Sequence, residues 1–192
     1  MLVVPHVIGW LWLAFAGVWL VLAAFNKKRR HGAPWRFWGL RLLLVVTVIA
    51  WARVRRYEPA FFDSLAEHRW LQPGIAVRWI GVALCAGGLA FAFWARFHIG
   101  RNWGTPMSLR ENHELVTTGP YHYVRHPIYA GIMLAMFGTA LATDIAWLAL
   151  FAIYVVYFLF AARSEERTML AQFPRQYPDY QRRTKRLIPF VL

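Results

Sequence analysis

Long apolar runs, broken by short polar stretches, set the pattern of this chain. Val3–Phe25 holds no Lys, Arg, Asp or Glu. As a helix rising about 1.5 Å per residue it reaches roughly 34 Å, enough for the hydrocarbon core of a bilayer. Further runs at Trp35–Ala52, Ile75–Ala95, Ile128–Ala142 and Ile145–Ala162 predict four more helices, with Arg41 and Arg78 near enough to span ends to reach the interface. Only Thr143 and Asp144 separate the last two. Read as one helix they reach about 52 Å, too long for a bilayer, so the pattern predicts a helical hairpin turning at Asp144. The expected architecture is all-α: an integral membrane protein of about five spans. The first run does not read as a signal peptide, because its basic cluster follows it.

Composition sharpens this picture. The chain has 192 residues, 59% of them hydrophobic, yet carries a formal charge of +13. Apolar spans with basic residues beside them reconcile the two facts. Anionic membrane lipids are then the expected electrostatic partner, and nucleic acid is not expected, since the basic residues flank apolar helices. Five spans put segments 26–36, 96–127 and 163–192 on one side, with 16 Lys and Arg, and 53–74 on the other, with 4. The basic side is expected to be cytosolic, which places the N-terminus outside and the C-terminus inside. Segment 53–74 reads as an amphipathic piece on the outer surface. The lone cysteine, Cys85, excludes an intrachain disulfide and a cysteine metal site, and reads as a small core residue. No metal is expected. With no repeat and no linker, the chain reads as one domain, with 1–95 as scaffold and 96–192 as the functional part.

The stretch that departs from plain span or plain loop is His113–Gly131, HELVTTGPYHYVRHPIYAG. Gly119-Pro120 signals a turn. His126-Pro127 signals a helix start, because a first-position proline gives up an N–H that has no partner there. A helix start is a ready site for a carboxylate or phosphate. His126 and Tyr129, three apart, share a side. His113, Leu115, Val116 and Tyr121 precede it and suit a flat ring. A second wall is Arg163-Ser164-Glu165-Glu166, just past the last run. The hairpin returns it to the same side as Pro127. Plainer readings stand beside these: the tyrosines as interfacial anchors, His126 as a helix cap, the paired glutamates as charge balance for Arg163 and Arg167.

The string H-x-L-V-x-x-G-x-Y-x-x-x-R-H-P-x-Y runs from His113 to Tyr129. Glu165-Glu166 follows the hairpin, then F-x-x-x-Y-x-x-Y at Phe173, Tyr177 and Tyr180, then R-L-I-P at Arg186–Pro189. Over about residues 100–190 this resembles the isoprenylcysteine carboxyl methyltransferase family, to which phospholipid N-methyltransferases are related. The resemblance implies S-adenosylmethionine as methyl donor. It places His113, Leu115, Val116, Tyr121, His126, Pro127, Tyr129 and Glu165 around that donor, and Glu165, Glu166 and Arg163 in the catalytic part. The implied acceptor is lipophilic, a prenylcysteine-type carboxylate, entering from the bilayer while the donor enters from the cytosol. One departure is plain. The family carries an arginine four residues before the glutamate that aligns with Glu165, and here that residue is Ala161. This shifts weight toward a phospholipid or other amine acceptor. Two readings of another class stay open: a membrane oxidoreductase using a nicotinamide dinucleotide, and a non-catalytic membrane scaffold.

Overall fold

The computed structural model of the chain describes residues 3–24, 29–31, 73–100, 109–110, 114–144 and 147–188. The expected span Trp35–Ala52, nearly all of segment 53–74, and His113 lie outside the described residues. The described helices are α1 (Val3–Ala24), α2 (Ile75–Ile99), α3 (Pro120–Tyr123), α4 (Pro127–Ala142), α5 (Trp147–Gln172) and α6 (Tyr177–Arg183). Two short strands, β1 (Arg29–His31) and β2 (Leu109–Arg110), pair antiparallel, a small addition to the all-helical expectation. Among the described residues, three helices are long and apolar enough to cross a membrane: Val3–Leu22, Ile75–Ile99 and Trp147–Gln172. The fourth, α4, is apolar but has only 16 residues, about 24 Å at helical rise.

The centre of the fold is the antiparallel meeting of α2 and α4, and it is built from missing side chains. On α2, Gly81, Cys85, Gly88, Ala92 and Ala95 recur every four and three residues; on α4, Gly131, Ala135, Gly138 and Ala142 do the same. A Cβ added at Gly88 would sit 2.5 Å from the Gly131 carbonyl oxygen, and one at Gly138 would sit 2.5 Å from the Cys85 backbone nitrogen. The two backbones therefore touch along the whole seam, the close approach that small residues permit between helices in lipid. Cys85 is fully buried in this seam, the small core position its apolar context predicts.

Helix α1 lies against the seam through Phe15, whose ring is 5.1 Å from that of Phe93, and through Trp12, whose indole N–H donates to Thr139 Oγ1 at 3.0 Å. Its other faces stay open, with Trp10 71% and Leu20 73% exposed, as expected of a helix facing lipid. Buried Arg96 closes the basic end. It donates to the carbonyls of Leu22 at 2.7 Å and Gly100 at 2.8 Å, which would otherwise be orphaned where α1 and α2 end.

The hairpin exists where it is predicted. Phe137 and Phe151 pack at 5.7 Å, Tyr129 and Phe158 at 4.9 Å, so α4 and α5 run antiparallel. The expected end at Ala162 is not where α5 stops, however. The helix continues unbroken to Gln172, because residues 163–172 contain no glycine or proline and end only ahead of Pro174. The Arg163–Glu166 group is thus part of the helix, past the end of the apolar run.

Candidate functional site

The site forms where the start of α4 faces the far end of α5. Pro127 is the first residue of α4 and fully buried; His126 is its N-cap, with Ala130 N–H donating to the His126 carbonyl at 3.0 Å. The imidazole makes no capping bond to the helix. It lies between the two acids instead: Nδ1 is 3.3 Å from Glu165 Oε2, and Nε2 is 3.4 Å from Glu166 Oε1. The second contact is an ion pair out of hydrogen-bond alignment. One turn on, Tyr129 stacks on the His126 ring with the planes 1° apart at 5.4 Å, and its hydroxyl donates to Glu165 Oε1 at 2.8 Å. Burial pushes the His126 pKa down, but its contacts with Glu165 and Glu166 outweigh that and hold it above the ordinary 6.5. The paired carboxylates thus favour the protonated ring, while burial opposes it.

The two glutamates, adjacent in sequence, have different surroundings. Glu165 receives Tyr129 and His126, and its side chain is 22% exposed. Glu166 is 5% exposed, and arginines hold both of its oxygens. Arg125 reaches Oε1 through Nε and a terminal nitrogen, both at 2.8 Å. Arg186 takes Oε1 through Nε at 3.1 Å and Oε2 through its terminal nitrogen at 2.8 Å. A carboxylate so engaged has little capacity left to accept a proton from a substrate.

Tyr121, Val116 and Leu115 lie in the segment that leads to Pro127. Tyr121, on α3, is buried; Val116 is half-buried and packs with Tyr121, Ala95 and Ile128; Leu115 is half-buried beside it. The turn into α3 uses Gly119 at φ +58°, where a Cβ would strike the His98 ring at 2.6 Å, so glycine is required twice over. Arg163 is exposed. It sits two positions from Glu165, about 200° around the unbroken helix, so no bend brings it onto the carboxylate pair. Ala161 is fully buried and packs against Tyr129. Sequence reasoning matched Arg125 and Arg186 to a pattern; it offered Arg125 only as one stand-in for the family arginine missing at Ala161 and gave Arg186 no place in the site. Gln181, whose amide is 3.5 Å from Glu166, and Tyr180, whose hydroxyl donates to the Tyr121 carbonyl at 2.6 Å, were also missed. Their signal, polar and aromatic residues recurring after the last apolar run, is weak until folding brings residues about 60 positions apart together.

Comparison with known proteins agrees with this architecture. Residues 76–176 match the phospholipid methyltransferase family. Protein-S-isoprenylcysteine O-methyltransferase B of Arabidopsis thaliana is 34% identical over 140 residues, covering 70% of this chain and 67% of that protein. A methanethiol S-methyltransferase of Crocosphaera subtropica is 37% identical over 71 residues, 37% of this chain and 28% of that one. The structure of the eukaryotic intramembrane Ras methyltransferase, isoprenylcysteine carboxyl methyltransferase, superposes with a TM-score of 0.58 at 27% identity, over 80% of this chain and 53% of the other. The chain thus spans about half the length of that solved relative. With its apolar helices, a matched stretch running from the α2–α4 seam through Glu165 and Glu166, and the same helical arrangement as a solved methyltransferase, this integral membrane protein belongs to the family that phospholipid methyltransferases and isoprenylcysteine carboxyl methyltransferases share.

Proposed function

We propose that the chain is an S-adenosylmethionine-dependent methyltransferase acting on a lipid-like acceptor at the cytosolic face of the membrane. The observation that carries this is the meeting of His126, Tyr129 and Glu165 at the entrance of α4. The residues suit such a donor. A half-open carboxylate on Glu165 matches an ammonium or a ribose diol, and the first N–H groups of α4 match a carboxylate. Tyr121, Val116 and Leu115 offer apolar surface to a flat ring. Bound there, the donor supplies an electrophilic methyl carbon on a sulfonium.

The protein's own part is orientation and the exclusion of water. Tyr129 and His126 fix the Glu165 carboxylate from two directions, so little freedom remains to be lost when it takes a ligand. A carboxylate acceptor needs no base. An amine must shed a proton, and of the paired acids Glu165 is the one with room to take it, because arginines engage both oxygens of Glu166. A second reading of the acceptor is favoured by Ala161: buried against Tyr129, it offers no cation to hold a carboxylate. An amine or a thiol fits that position better than a prenylcysteine carboxylate. The cytosolic placement rests on the excess of Lys and Arg in segments 26–36, 96–127 and 163–192.

The test is thermal stability in detergent. Adenosylhomocysteine at saturating concentration should raise the melting temperature of the wild type, and a nicotinamide dinucleotide should not. In Glu165→Gln the shift should shrink by about half at a ligand concentration near 100 times the wild-type Kd, with donor affinity down about tenfold, the loss of one charged hydrogen bond. A response to dinucleotide alone would turn the assignment toward an oxidoreductase. No response to either would favour a scaffold.

A further inference from the structure

The C-terminal segment is not simply laid against the rest of the protein. Residues 184–187 run beside residues 124–126, joined to them by a single β-bridge and backbone hydrogen bonds. Val124 and Lys185 form a parallel bridge, Arg125 N–H donates to the Lys185 carbonyl at 2.8 Å, and His126 N–H to the Arg186 carbonyl at 3.0 Å. Arg125 also donates from its side chain to the Thr184 carbonyl. Thr184 and Leu187 are buried. At one point this strap touches the machinery directly, where Arg186 lies on both oxygens of Glu166, whose Oε1 in turn faces His126 Nε2.

We propose that residues 184–187 complete the donor site, and that Glu166 is the positioning residue through which the strap acts on His126 and so on Glu165. This rests on the donor reading above. The reason is charge balance in a closed space. His126 has a carboxylate beside each of its ring nitrogens. Arg125 and Arg186 satisfy Glu166, which leaves the Nδ1 edge of the ring to Glu165 while Glu166 braces the other edge. Without Arg186, Glu166 competes for the ring, and Glu165 loses the orientation that faces the donor. The strap backbone does the same for the main chain, because it occupies the N–H groups of Arg125 and His126 and sets where α4 begins.

The experiment measures adenosylhomocysteine affinity by calorimetry on the full chain in detergent, for wild type, Arg186→Met and Arg186→Lys, with the unliganded melting temperature of each. Arg186→Met is expected to bind about tenfold more weakly, and Arg186→Lys, which keeps a charged donor to Glu166, to recover to within about threefold of wild type. Unchanged affinity in Arg186→Met overturns the proposal. So does a fall that Arg186→Lys does not repair, because the contact with Glu166 is then not what matters. If Arg186→Met cannot be recovered folded, Arg186→Gln carries the same comparison with lysine. Wild type that binds while Arg186→Met binds equally well sinks the strap alone; wild type that does not bind removes the donor reading, and the strap's role with it.

Discussion

Helix α4 has two working faces made of opposite materials. Toward α2 it presents glycine and alanine, and the contact is backbone on backbone with no charge in it. Toward α5 its entrance presents His126 and Tyr129, and the contact is a set of charged hydrogen bonds. The first face holds by van der Waals contact over many atoms, and any added atom spoils it. The second holds by a few directed bonds, and its energy depends on every partner keeping its charge. The difference teaches where each kind of change should be felt: size along the seam, charge at the entrance.

The sharpest break comes from two neighbouring glycines. A Cβ at Gly88 meets the Gly131 carbonyl oxygen at 2.5 Å, while one at Gly87 meets nothing within 4 Å. Gly88→Ala should therefore cost about 3 kcal/mol of stability or prevent recovery of folded protein. Gly87→Ala should leave stability unchanged or raise it by up to about 1 kcal/mol, from the lower helix cost of alanine. Melting curves in detergent decide between them, and equal behaviour of the two would discredit the seam.

At the entrance, pH is the gentler probe. The two carboxylates raise the His126 pKa in the folded state. The stability this adds is complete below the ordinary 6.5 and is lost as pH rises through the folded-state value. The melting temperature should thus fall as pH rises above 6.5, and His126→Gln should flatten that arm of the profile. An arm that persists in the variant would assign it to another group. The smallest effect belongs to Arg163. It is exposed on the outer side of α5, so Arg163→Ala should leave the melting temperature within the scatter of replicate scans. A clear drop would show that Arg163 reaches back to the carboxylates after all.

Much of this was legible in order but not in distance. Pro127 announces the start of α4 through backbone chemistry, and the gap at Thr143 and Asp144 announces the hairpin through length alone. Both are local signals, and both elements stand where they were expected. The end of α5 was misread because apolarity stops at Ala162 while helix propensity continues to Gln172; the edge of a hydrophobic run marks where lipid ends, not where hydrogen bonding ends. The four-and-three spacing of small residues was on view as well. It carries meaning only once a facing helix supplies the complementary spacing.

Sequence alone therefore determined the membrane class, the helix starts, and the residues from which a site could be made, because hydropathy, proline and glycine act on their own neighbours. Tertiary structure decided the division of labour between Glu165 and Glu166. Both are glutamates on one helix, and nothing local separates them. One has Arg125 and Arg186, brought from 41 and 20 residues away, on both of its oxygens; the other meets Tyr129 and His126. Ionisation and access depend on what stands within a few ångströms in space, and that is set by which segments pack together, not by the residue's own identity.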